Sequence, residues 1–203
     1  MNTMFRGLVF RYPPVAHRRK EESMNSLALT ILVVLLPFVV LVGSAAGDED
    51  GHVKAFLNGY QEVVGPGSIS TIGEGRFEAK IDRGAQTITY ELRYTLENTA
   101  TVSHIHFAER HVGGGVIAFL CGGGSKPACP PGTATEAVVT GVITAADIIG
   151  PTTQGIEPGS FDEAVRAIRA GATYANVHST RWPQGEIRGQ IRDHDAGDHR
   201  SSR

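Results

Sequence analysis

With 203 residues, 41% of them apolar and 20% charged, the chain has the composition of an ordinary globular domain, not of a disordered or fibrous one. A formal net charge of −2 leaves no excess of Lys and Arg to meet a phosphate backbone, which excludes nucleic acid as the partner. Two cysteines are too few for a scaffold built on disulfides.

In chain order, the first element is an uninterrupted apolar run, LALTILVVLLPFVVLV, over Leu27–Val42. Arg18, Arg19 and Lys20 precede it, and Gly43, Ser44, Ala45 and Ala46 follow. Positive, apolar and small-residue regions in that order predict a secretory signal, cut between Ala46 and Gly47. The run is short for a membrane span, which takes roughly 20 residues, and Pro37 interrupts it as a helix. The rival reading is an uncleaved anchor at 27–42, in which case this segment alone touches the membrane. Met24 begins a complete signal by itself, so residues 1–23 read as a misassigned start or an extended n-region. Of the 19 basic and 21 acidic residues, 5 and 2 lie in segment 1–46; the remaining 14 and 19 give the mature chain a net charge of −5. The expected location is therefore secreted or in the cell envelope.

Residues 47–52 read as a polar linker, 53–192 as one domain, and 193–203 as a charged, disordered tail. Within the domain, period-two alternation dominates. Phe77, Ala79 and Ile81 alternate with Arg76, Glu78 and Lys80; Ile88, Tyr90, Leu92 and Tyr94 alternate with polar residues over Gln86–Thr95. Asp82-Arg83-Gly84-Ala85 supplies the turn of a hairpin. Further strands are expected at Val53–Leu57, Thr101–Phe107, Val116–Cys121, Ala137–Ile143, Thr173–His178 and Glu186–Ile191. One short amphipathic helix is expected after a capping box, Ser160-Phe161-Asp162-Glu163, with a stop at Gly171 and a lesser helical turn near Thr144–Ile148. The predicted class is mostly β: an antiparallel sandwich or partly closed barrel of about eight strands. Cys121 and Cys129, eight residues apart in a Gly/Pro-rich loop, are expected to form a disulfide worth ~2–3 kcal/mol.

Residues two apart on a strand share a face, so His104 and His106 project together. Tyr174, Asn176 and His178 share a face of another strand. Should the two strands be neighbours, His104, His106 and His178 form a three-imidazole site for copper or zinc. The competing reading is a polar face whose histidines only hydrogen-bond. Glu186 and Arg188 are expected to pair with charges on adjacent strands. No nucleophile elbow, zinc-protease helix or spaced carboxylate pair is present, so no catalytic site is assigned.

Taken together, Leu57-Asn58-Gly59-Tyr60-Gln61-Glu62-Val63, His104-Ile105-His106, Gly141-Val142-Ile143-Thr144, Tyr174-Ala175-Asn176-Val177-His178 and Gly185-Glu186-Ile187-Arg188-Gly189-Gln190 occur in order. This series resembles the CHRD domain first described in chordin, in a stand-alone, bacterial-type form. Val64 stands where that family has proline. The resemblance implies an extracellular module that binds a protein or a surface polymer, or serves a structural role. It also places His104, His106, Asn176 and His178 at signature positions.

Overall fold

The alternating segments become the strands of one sheet. A computed structural model describes residues 51–65 and 67–194; the expected signal segment and most of the expected tail lie outside these residues. The strands are β1 (Gly51–Asn58), β2 (Glu74–Asp82), β3 (Thr87–Thr95), β4 (Ala100–Phe107), β5 (Gly115–Cys121), β6 (Ala137–Thr144), β7 (Thr173–Ser179), β8 (Ile187–Gln190) and β9 (Arg192–Asp193). They pair antiparallel in the order β5-β4-β7-β8-β1-β2-β3-β6, with β9 on β1, giving a nearly closed, barrel-like sheet. Gly51 and His52, at the end of the expected linker, already pair with Ile81 and Lys80, and Asp193, at the start of the expected tail, pairs with Val53.

Closure follows from the alternation. The inward residues Leu57, Phe77, Ile81, Leu92, Ile105, Ile143, Val177 and Ile187 fill one core, and the other face is mostly polar, with Phe56 on β1 and Val138 and Val142 on β6 exposed among the polar residues. The two ends of the sheet approach across the remaining gap: Tyr90 Oη, on β3 next to β6, donates to Leu120 O of β5 (2.7 Å), and Ile149 N, in the segment after β6, donates to Ile117 O of β5 (2.9 Å). Helix α1 (Phe161–Arg169) adds Phe161, Ala164, Val165 and Ile168 to the same core. Among the described residues no helix is long and apolar enough to cross a membrane.

Two local expectations are corrected. Ser160 precedes α1 but neither half of the capping box forms: its side chain makes no capping bond, its N–H donates to Glu157 O (3.0 Å), and the Glu163 side chain turns to Arg166 (2.8 Å). The β2–β3 turn is closed by Asp82 Oδ1, which accepts from Ala85 N (2.7 Å), and Gln86 takes the left-handed conformation (φ 52°). Gln86 is thus a turn residue, and β3 begins at Thr87. The minor turn near Thr144 is a short 3-10 segment (Ala145–Asp147), held by Asp147 accepting from Thr144 N and Oγ1. Cys121 and Cys129 are joined in a disulfide, which fastens the loop after β5 to the end of that strand.

Candidate metal centre

Strand β4 pairs with β7, and β7 with β8, so that His104 lies opposite Asn176, His106 opposite Tyr174, and Asn176 opposite Arg188. Ile105, Ala175, Val177 and Ile187 point into the core, which directs His104, His106, Tyr174, Asn176, His178 and Arg188 to the outer face. On its other side β4 meets β5 with two register shifts; Ile117 and Leu120 are the extra β5 residues, and both are buried in the core. Such bulges re-aim side chains beside them, and here they bring Phe119 edge-on to His104 (ring centroids 4.9 Å).

This outer face is polar and yet buried. Exposure is 8% for His104, 9% for His106, 8% for His178 and 2% for Asn176, because loop 108–114 and loop 180–185 fold over it. The loops also supply its hydrogen bonds. His106 Nδ1 lies 2.9 Å from Gly114 O, and His178 Nδ1 lies 2.9 Å from Pro183 O. A carbonyl only accepts, so both rings carry their proton on Nδ1 and present the lone pair of Nε2. His178 Nε2 is buried with no hydrogen-bond partner. His106 Nε2 sits 3.1 Å from His104 Nδ1, which in turn is 3.4 Å from Asn176 Oδ1. One ligand-capable nitrogen from each of the three histidines lies within 4.8 Å of the others, short enough for a shared ion after small adjustments at bond lengths of ~2.0–2.1 Å.

Electrostatics keep the imidazoles neutral. Burial, then His178 and His106, lower the pKa of His104 to about 3. Burial lowers that of His106 to about 4 against the opposing Gly114 carbonyl, and burial lowers His178 as well. Metal ions bind the neutral form, so the cluster does not have to lose protons at neutral pH before it can ligate.

The remaining signature residues surround this cluster. Tyr174 stacks flat on His106 (4.7 Å, 3° between planes), and the Arg188 guanidinium lies 3.3 Å over the other ring, Tyr174. Arg188 donates to Glu109 O (3.0 Å) instead of meeting a carboxylate at ion-pair distance. Glu186, also expected to pair with a charge, accepts from Thr71 Oγ1 (2.9 Å) and Glu97 N (3.2 Å). Two contributors escaped the sequence reading. One is Glu62, 4% exposed, whose pKa burial raises to about 7 against the pull of Arg188. The other is Gly185 (φ 128°), where an added Cβ would collide with the Glu62 carboxylate; its proximity to Glu186 in sequence carried no sign of that contact.

A family model of the CHRD domain matches residues 53–191, from β1 to the residue after β8. The chain belongs to the CHRD domain family. No curated protein and no solved structure matches it.

Proposed function

We propose that this chain is an exported CHRD module that binds one copper or zinc ion through His104, His106 and His178. The observation carrying this reading is the buried His178 Nε2, unpartnered while its Nδ1 is fixed by Pro183 O. A buried nitrogen without a partner is costly in a network built only for hydrogen bonding, and backbone carbonyls that fix the opposite ring nitrogen are the usual support of metal-ligating histidines. Export is supported by the leader pattern before Gly47 and by the disulfide, a bond kept outside reducing compartments. The test starts from protein recovered outside the producing cell, whose N-terminal sequence should begin at Gly47. Metal analysis of that protein should find stoichiometric copper or zinc, lost in His104→Ala/His106→Ala. Background metal content, with no rise in melting temperature on adding either ion, would refute the metal reading; an N-terminus at Met1 or Met24 would refute cleavage.

A second reading, binding of an acidic surface polymer, has its own support in a groove of about 950 Å³ beside β1. Lys54, Arg110 and Arg192 line it with the exposed rings of Phe56 and Tyr60, and Asp193 is the single acid in its wall. Cations and aromatic faces together suit the carboxylates and C–H faces of an acidic polysaccharide. Retention on alginate at low salt, lost in Phe56→Ala/Tyr60→Ala, is expected; equal retention of both proteins would remove this reading.

A further inference from the structure

The three imidazoles are not arranged alike, and their inequality bears on which ion they hold. His104 is close to both others: its ring centroid lies 5.0 Å from that of His106 and 4.7 Å from that of His178. His106 and His178 are 6.5 Å apart. His104 stands edge-on to each, with interplanar angles of 89° and 77°, whereas the outer two rings are tilted by only 32°.

With metal–nitrogen bonds of ~2 Å an imidazole centroid lies ~3 Å from the ion, so rings at right angles are ~4.5 Å apart, tetrahedral ones ~5 Å and opposite ones ~6–6.5 Å. A tetrahedral zinc site therefore needs three nearly equal separations. Two short separations and one long one describe a T: His106 and His178 opposite each other, and His104 between them. A T of three nitrogens is a square plane lacking one corner, and tetragonal nitrogen coordination is the preference of copper(II). The soft ligands that would favour copper(I) are not part of the cluster, since both cysteines are tied up in the disulfide.

We infer that the centre is a tetragonal copper(II) site with its fourth in-plane position, opposite His104, open to a small exogenous ligand. This rests on the metal-binding reading above and specifies its ion and geometry. Affinity alone is a poor test, because nitrogen sites of any shape bind copper(II) more tightly than zinc. Shape is the better readout. One equivalent of copper(II) added to the metal-free mature protein should give an axial electron paramagnetic resonance spectrum. It should show a large parallel copper splitting and superhyperfine structure from three nitrogens, reduced to two in His178→Gln. Azide should shift that spectrum, and the cobalt(II)-loaded protein should absorb only weakly in the visible. An intense tetrahedral cobalt band, a small parallel copper splitting, or a copper spectrum indifferent to azide would overturn the inference while leaving a metal site in place. Failure to bind either ion stoichiometrically would overturn the metal-binding reading and this inference with it.

Discussion

The barrel has two kinds of outer surface, and they solve the same problem in opposite ways. On β2 and β3 the outward residues meet water. Arg76 faces Arg93 and Glu78 faces Glu91 across the ladder, so like charges are paired directly, an arrangement that is unfavourable by itself. Relief comes from within each strand and from next door: Arg76 pairs with Glu78, and Arg93 with Glu91 (2.7 Å) and Glu136 (3.2 Å). On β4, β7 and β8 the outward residues are equally polar, but two loops cover most of their surface, leaving the three imidazoles 8–9% exposed. Their partners are then fixed backbone carbonyls: Gly114 for His106, Pro183 for His178, Glu109 for Arg188 and Ala108 for Gln190. Water adapts to any side chain and a backbone carbonyl does not. The covered face is therefore the one on which side-chain identity is strictly constrained, and it is the face that holds the imidazoles.

The sharpest way to break this comparison is to remove one arginine from each face. Arg188→Met takes from Glu109 O one of its two donors (Val112 N remains, 3.2 Å), strips the cation from Tyr174 and takes the attractive charge from Glu62. Loss of a buried charged donor with these consequences should destabilise by about 3 kcal/mol. Arg93→Met, on the solvated face, should leave the urea midpoint almost unmoved, because exposed ion pairs contribute little. Equal midpoints for the two variants would show that the loops over β4, β7 and β8 do not make that face special.

The same contrast explains what could be read in advance. Strands β2 and β3 were legible because solvent on one side and core on the other impose strict alternation on Arg76–Ile81 and Ile88–Tyr94. All eight segments expected from patterning are strands, and His104, His106 and His178 do share a face. On β7, however, every residue from Thr173 to Ser179 is buried, a fact that period-two alternation does not reveal. The burial comes from loops whose sequences, 108–114 and 180–185, have no periodicity to read. Arg188 and Glu186 looked like members of a charged ladder because charges on a strand usually face water. Their actual partners, Glu109 O for one and Thr71 Oγ1 and Glu97 N for the other, are distant in sequence or belong to backbone. Glu62 was visible only as a letter of the family pattern, since nothing local to it foretells burial beside Arg188.

Glu62 also supplies a finer probe of the covered face, through pH. Its pKa rises from 4.5 to about 7 on folding, chiefly by burial. Between those values the folded protein binds a proton that the unfolded chain has released, so this carboxyl's contribution is fully present below pH 4.5 and is lost as pH rises through 7. Glu62→Gln keeps the shape and stays neutral, which removes the loss. In the metal-free protein the variant should match the parent at pH 4.5 and exceed it at pH 8 by on the order of 1–2 kcal/mol, less than the full shift converts to because the surroundings of an ionised carboxylate relax and admit water. Denaturant unfolding at the two pH values measures this directly. A stability offset of the same size at both would mean that amide packing, and not the ionisation of a carboxyl shut away from water, distinguishes the variant; the covered face would then exclude water less completely than its loops suggest.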